Sequence, residues 1–382
     1  MDPSTLVAEL HRLGATRGGR LALAVGDDGV ALAVAPGHVL VAPAAGRADP
    51  VAVATLLRPV EDELRPRWTW WSNETAAVLV AGGLRVATCS DLAAVHRLLV
   101  GGWRAGSGRV WATATGLDPT DRPRREVVDL FHPVVAVPDD PVRADGHLDA
   151  EWAAGAWIDS PERTARWAEL ALVAAEGQDR AVAAVTDRPR LAATARSESG
   201  AELLAVELAA DGLPVDRAAA DAVIGGFIGP RPTTAADAAE IRRARDEAVW
   251  RHVPGGERFD LRSPGQVKAL LRSVGVEVAD TRAWRLEEVR DAHPVVEALL
   301  RWRRAERIET TFGYRWLDER VGRDGRLRGD WTGCDGAAGR MTASNGLHNL
   351  PTELRAGVVA EPGHAFVRAD LSQVEPRVLA AV

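Results

Sequence analysis

The chain has 382 residues, 46% of them hydrophobic and 26% charged, with a net charge of −7, which is enough for about two or three domains with cores of their own. Cys89 and Cys334 are the only cysteines, too few for a disulfide framework or a zinc site, so a reducing cytoplasm is the expected compartment. No apolar run approaches the length of a membrane span, and Met1-Asp2-Pro3-Ser4 lacks the basic-then-apolar order of a signal peptide, so no membrane partner is expected.

Residues 21–25 and 30–34 are short apolar runs separated by Gly26-Asp27-Asp28-Gly29, and residues 39–42 follow Pro36-Gly37. This turn chemistry predicts a hairpin and a third strand. Ser90-Asp91 is placed to cap a helix carrying Leu92, Val95, Leu98 and Leu99. Such alternation is that of an α/β domain over residues 1–190. Trp68, Trp70 and Trp71 are able to stack bases, but buried packing is their expected use.

A loose connection containing Ala, Arg and Pro puts a domain boundary near residue 195. Residues 202–223 open with Leu203, Leu204, Val206 and Leu208 and run into Asp211-Gly212-Leu213-Pro214-Val215-Asp216. A helix is expected over residues 235–252. Ser263-Pro264-Gly265-Gln266 supplies an N-cap, a first-turn proline and a capping-box glutamine for a helix ending at Gly275. Residues 294–320 read as one long helix, with Val296, Leu299, Leu300, Ile308, Phe312 and Trp316 on its apolar side.

An acidic net charge argues mildly against a nucleic-acid partner, but the local distribution weakens that objection. Arg301, Arg303, Arg304, Arg307, Arg315, Arg320, Arg323, Arg326 and Arg328 crowd one stretch, interleaved with Glu306, Glu309, Asp318, Glu319 and Asp324. On composition alone this is either a salt-bridged, solvated face or a basic stripe for phosphates.

Near the C-terminus, residues 364–369 alternate around Ala365, Val367 and Ala369, which predicts a short buried strand ending at Asp370. From Gln373 onward Val374, Val378 and Leu379 recur at helical spacing, with Ser372 as N-cap, Glu375 as capping-box residue and Pro376 in the first turn. Taken alone, Asp-x-Ser-x-x-Glu reads most simply as a helix N-cap. Yet one carboxylate at a strand end and a second on the next helix also suit phosphoryl transfer, where Mg²⁺ is held by one or two carboxylates plus substrate oxygens.

Three pieces in order decide between these readings: Gly339-Arg340, Leu347-His348-Asn349-Leu350-Pro351, and Ala369-Asp370-Leu371-Ser372-Gln373-Val374-Glu375-Pro376-Arg377. Together they resemble the start of the polymerase site of family A DNA polymerases, in the actinobacterial branch of bifunctional 3′-5′ exonuclease/DNA polymerases. Ala338 stands where the family has threonine and His348 where it usually has glutamine, while Leu371 and Pro376 replace an aromatic residue and a leucine. The segment between the first two pieces is also one residue short.

The resemblance implies an α/β, ribonuclease-H-like (3′-5′ exonuclease-like) domain over residues 1–190 and a palm base with a mostly helical thumb over residues 195–330. The start of an α+β polymerase palm would follow over residues 331–382. The sequence given stops at Val382, before the family's nucleotide-binding helix and second catalytic aspartate. Asp370 is implied as the catalytic ligand shared by two Mg²⁺ ions and Leu371 as a backbone-carbonyl ligand. Glu375 is implied as the residue that crowds the sugar 2′ position against ribonucleotides. Arg340, His348, Asn349, Gln373 and Arg377 become nucleotide- or primer-binding residues, with Arg340 in the minor groove. Arg307-Ile308-Glu309-Thr310-Thr311-Phe312 resembles the thumb segment that grips duplex DNA. Arg307, Thr310 and Thr311 are then backbone contacts that position without reading sequence, and Glu309 stands where a lysine is common.

The implied reaction is extension of a primer on a primed template from deoxynucleoside triphosphates, in replication or repair, by a monomeric, nucleoid-associated bacterial protein. These 382 residues alone are expected to be inactive. The alternative is a non-catalytic DNA-binding module or remnant. An active 3′-5′ exonuclease is least favoured, because such sites need four carboxylates around two metals. Here Asp-x-Glu would fall at Gly26 to Asp28, Asn-x-x-x-Asp from Asn73 meets Ala77, and Tyr-x-x-x-Asp from Trp167 meets Ala171. Turn chemistry explains Asp27 and Asp28 without catalysis.

Overall fold

The computed structural model describes residues 3–43, 46–123, 137–335 and 339–381; Met1, Asp2, Ala338 and Val382, used above, lie outside them. The chain divides into two compact units, Met1–Asp211 with Asp330–Ser344, and Gly212–Gly329 with Asn345–Val382.

In the first unit α1 (Pro3–Arg12) precedes β1 (Arg20–Val25), β2 (Gly29–Ala35) and β3 (His38–Pro43). The hairpin and third strand form where the turns predict them, with Val25 opposite Val30 and both pairings antiparallel. Next come α2 (Pro50–Leu64), β4 (Arg67–Trp70), α3 (Asn73–Ala81) and β5 (Cys89–Asp91), where β4 is parallel to both β1 and β5. The sheet order is β3-β2-β1-β4-β5. The remaining helices of this stretch are α4 (Leu92–Val100), α5 (Ser107–Ala114), α6 (Ala150–Ala153), α7 (Pro161–Ala184) and α8 (Leu191–Asp211). Asp91 alone caps α4, its Oδ1 accepting from Ala94 N–H at 2.9 Å, while Ser90 belongs to β5.

Strand alternation sorts β1 and β2 by size. Leu21, Leu23, Val25, Val30 and Leu32 enter one core with α1, α2 and α3. Ala22, Ala24, Ala31 and Ala33 enter the other, against Trp167, Ala168 and Ala171 of α7. Small residues on both sides let α7 lie close to the sheet. Gly177 extends this: a Cβ there would sit 2.0 Å from the Ala114 carbonyl oxygen of α5, which outweighs the roughly 1 kcal/mol that glycine costs a helix. Trp68, Trp70 and Trp71 are buried, as packing predicts, and each indole N–H is used, on Glu61, Asp91 and the Trp167 carbonyl.

Residue 195, the expected boundary, lies inside α8. This helix packs on α3, α4 and β5 and lends Leu203 to the first core, so the division follows its C-terminus at Asp211 instead.

The second unit begins with β6 (Leu213–Pro214), α9 (Arg217–Ile228) and α10 (Ala235–Trp250), the last close to its predicted span. There follow α11 (Pro264–Ser273), α12 (Ala283–Glu288), α13 (Pro294–Phe312), α14 (Tyr314–Arg320) and β7 (Arg326–Leu327), which pairs with β6. The capping box expected for α11 is not made: Ser263 gives no side-chain cap, and Gln266 Oε1 instead accepts from Asp260 N–H at 2.7 Å. The single long helix is also corrected, because Gly313 is extended (φ −76°, ψ −168°) and separates α13 from α14. A continuous helix would hold Phe312 and Tyr314 about 200° apart, whereas both are buried. The Tyr314 hydroxyl donates to the Gly229 carbonyl at 2.7 Å.

The hairpin of β8 (Trp331–Asp335) and β9 (Arg340–Ala343) belongs to the first unit and packs on α8. The remaining residues, with α15 (Val374–Ala381), belong to the second. No strand forms over residues 364–369, and residues 361–381 are exposed throughout, Val367 at 94%. Alternation is not enough for a strand, whose N–H and C=O groups need a neighbour, and no described strand pairs with this segment. Nor does Ser372 cap α15. The turn into it is Gln373, in the left-handed region at φ 54°, whose carbonyl accepts from Arg377 N–H.

Candidate nucleic-acid interface

At 100° per residue, Arg307 and Thr311 lie 40° apart around α13 and Thr310 60° to the other side of Arg307. All three are exposed, while Ala305, Ile308 and Phe312 fill the core behind them. Among the described residues the Arg307 side chain makes no hydrogen bond or ion pair. The Thr310 hydroxyl donates to the Glu306 carbonyl one turn back. The sequence therefore brings three of its predicted backbone contacts to one open helix face.

Glu309 turns away from that face. It pairs with Arg245 and, at 3.4 Å, with Arg242, both on α10. Glu306 joins the same network, accepting from Arg262 Nε at 2.8 Å, and Arg262 also reaches Asp246, which accepts from the Trp302 indole at 2.6 Å. Burial pulls the Arg245 guanidinium below its ordinary pKa, opposed by Glu306 and Asp246. Glu309 thus ties α10 to α13, a role for which sequence gives no signal because its partners lie over sixty residues upstream.

Most of the arginine run is occupied. Arg301 pairs with Glu297, Arg304 with Glu287, Arg315 with Glu319, Arg326 with Glu361 and Arg328 with Asp324. Arg303 donates to the Thr281 carbonyl. Arg307, Arg320 and Arg323 carry no side-chain partner among the described residues. The dense stretch is therefore a salt-bridged surface that leaves three cations open.

The other predicted residues belong to both units. Arg340 is exposed on β9 in the first unit, whereas His348 and Asn349 occupy an exposed turn of the second, held from behind by buried Leu350. Asp370, Leu371, Gln373, Glu375 and Arg377 lie along one exposed segment. Among the described residues no group of three or more His, Cys, Asp or Glu side chains could hold a metal ion. One carboxylate and a carbonyl on an exposed segment do not by themselves fit Mg²⁺, which demands near-octahedral coordination.

At the exonuclease-like positions Asp27 and Asp28 are exposed in their turn, Ala77 is exposed on α3 and Ala171 is buried on α7. Trp167 stacks between Trp71, at 4.6 Å, and Trp157, at 5.2 Å. The buried acid that sequence reading used only as a cap is Asp91. Burial pushes its carboxyl up to about 7, against bonds from Ala94 and Trp70. Nearby Glu202 accepts from Asn73 at 2.7 Å and pairs with Arg97. Burial, with Arg109 and Arg97, lowers His96 to about 4.

Residues 234–382 match the model of DNA polymerase family A. Part of the chain is also similar to curated bacterial enzymes. The DNA polymerase I of Deinococcus radiodurans is 31% identical over 153 residues, and the thermostable DNA polymerases I of Thermus thermophilus and Thermus aquaticus are 33% and 36% identical over 160 and 142 residues. These alignments take in 33–37% of this chain but only 16–19% of each relative. Among solved structures, the POL domain of Pol1 from M. smegmatis, in complex with DNA primer-template and dNTP, matches with a TM-score of 0.54 at 20% identity. That match covers 96% of this chain and 59% of the other, so the chain has a fold like that of a DNA polymerase I POL domain. Among the described residues no helix is long and apolar enough to cross a membrane.

Proposed function

We propose that this chain is part of a template-directed DNA polymerase that extends a primer 3′ end from deoxynucleoside triphosphates. The palm base and helical thumb expected over residues 195–330, with the start moved to Gly212, form its DNA-gripping part. Arg307, Thr310 and Thr311 grip the duplex backbone, and Arg340, His348, Asn349, Gln373 and Arg377 meet primer or nucleotide. Asp370 and the Leu371 carbonyl contribute to a Mg²⁺ site that needs further ligands, and Glu375 guards the sugar 2′ position. The carrying observation is the open face of α13, within the segment that matches the family, bearing an arginine without a counter-ion.

Residues 1–190 are read as a degenerate, ribonuclease-H-like exonuclease domain in an actinobacterial-type polymerase. The mixed sheet order and the alanines at two ligand positions support this. A non-catalytic DNA-binding module is the second reading, favoured by the exposure of residues 361–381 around Asp370.

The test is fluorescence anisotropy with labelled primed duplexes of unrelated sequence. Binding through phosphates releases counter-ions, so affinity falls with salt, by a log–log slope of about −0.9 per contact. The double change Arg307→Ala with Thr311→Ala is expected to weaken all duplexes by similar factors. Binding indifferent to salt and to both changes removes the thumb assignment.

A further inference from the structure

At the start of β1 and β4, Arg20 and Arg67 stand opposite each other in a parallel register. Like charges so paired are destabilising unless something neutralises them. Arg20 has Asp179 at 2.9 Å, but its buried Nε has no hydrogen-bond partner. Half-buried Arg67 has no side-chain partner among the described residues.

Both line a cavity of about 450 Å³ closed on the other side by the end of α7 and the start of α8. Arg188 and Arg196 also line it, so four arginines and a single carboxylate, Asp179, are among its lining residues, in a chain whose net charge is −7. α8 contributes a side face to the lining, Leu191, Ala192, Ala195, Arg196 and Ser199, and its Leu191 N–H donates to the Arg188 carbonyl at 2.9 Å. Val182 and Ala183, in the last turn of α7, line it too, so the arginines are its source of positive charge. Val95, Val182, Val185 and Leu191 make an apolar wall beside them.

The structure assigns this cavity as a binding site for a phosphorylated small molecule of mononucleotide size. Guanidiniums match phosphate oxygens in paired hydrogen bonds, the apolar wall accepts a ring, and the volume lies at the small end of ligand pockets, which run from about 300 to 1,000 Å³. The site belongs wholly to the first unit and is independent of the α13 face.

Isothermal titration of the full chain with nucleoside 5′-monophosphates, inorganic phosphate, unphosphorylated nucleoside and a short single-stranded oligonucleotide tests it. Monophosphates are expected to bind, the nucleoside not, and Arg67→Gln to weaken binding at least tenfold. Arg196→Gln, a change on the exposed side of α8 that leaves the sheet untouched, is expected to act in the same direction, with thermal melting reporting that both variants fold. Absence of monophosphate binding, or affinity unchanged in both variants, overturns the site. Inorganic phosphate binding as tightly as the monophosphates, or the oligonucleotide binding where mononucleotides do not, overturns the assignment to a mononucleotide-sized ligand.

Discussion

The sheet of the first unit and residues 361–381 of the second are opposites. The sheet and α7 offer rigid, buried positions, but Ala22, Ala24, Ala171 and a tryptophan stack occupy them. The C-terminal segment carries Asp370 and Glu375 on an exposed stretch that pairs with no strand among the described residues. A two-metal site needs ligands and rigidity in the same place, and neither region provides both. The difference teaches that the motif's chemistry and its mechanical support are separable, the first being written locally and the second depending on neighbours.

The largest effect that sharpens this contrast is on stability. Trp167→Ala should destabilise the first unit by about 3–5 kcal/mol, the usual cost of deleting a buried indole, read from denaturant melts. A loss under about 1 kcal/mol would mean the stack is not core.

Next is the pH dependence of the same unit. Asp91 rises from an ordinary 3.8 to about 7 on burial. The folded state therefore keeps a proton that the unfolded state releases, and this stability is fully present below the unfolded value and lost as pH rises through about 7. Asp91→Asn, which keeps the acceptor for Ala94, should flatten the stability profile between about pH 4 and 7. An unchanged profile would place the titration elsewhere.

The smallest stability effects belong to the exposed segment. Asp370→Ala and Val367→Ala should each shift stability by no more than about 0.5 kcal/mol, as surface changes do. Residues 1–382 should neither extend a primer nor release nucleotides from a labelled 3′ end in Mg²⁺ or Mn²⁺. Extension abolished by Asp370→Ala, or degradation abolished by Asp28→Ala, would break the comparison at one side or the other.

Where determinants were local, they could be read. The hairpin around Gly26-Asp27-Asp28-Gly29 and the cap at Asp91 follow from turn and cap chemistry within a few residues. The break at Gly313 was hidden because Phe312 and Trp316 keep helical spacing across it and still meet edge to face at 5.5 Å. Residues 364–369 alternate like a strand but form none, because alternation says nothing of a partner. Arg301–Glu297, Arg315–Glu319 and Arg328–Asp324 are pairs four residues apart, within reach of sequence spacing. The pairs Arg304–Glu287 and Arg326–Glu361, the turn of Glu309 toward α10 and the docking of β8 and β9 on α8 instead depend on residues far away in the chain. Composition is blind to such contacts.

The central claim is that the open face of α13 holds nucleic-acid backbone through Arg307, whereas its neighbour Arg315 is spent on Glu319, 2.7 Å away. Comparing the salt dependence of duplex binding for Arg307→Ala and Arg315→Ala tests it most directly. Loss of one phosphate contact should make the log–log slope shallower by about 0.9 for Arg307→Ala and leave it unchanged for Arg315→Ala. Equal slopes for both variants and the unaltered protein would contradict the account.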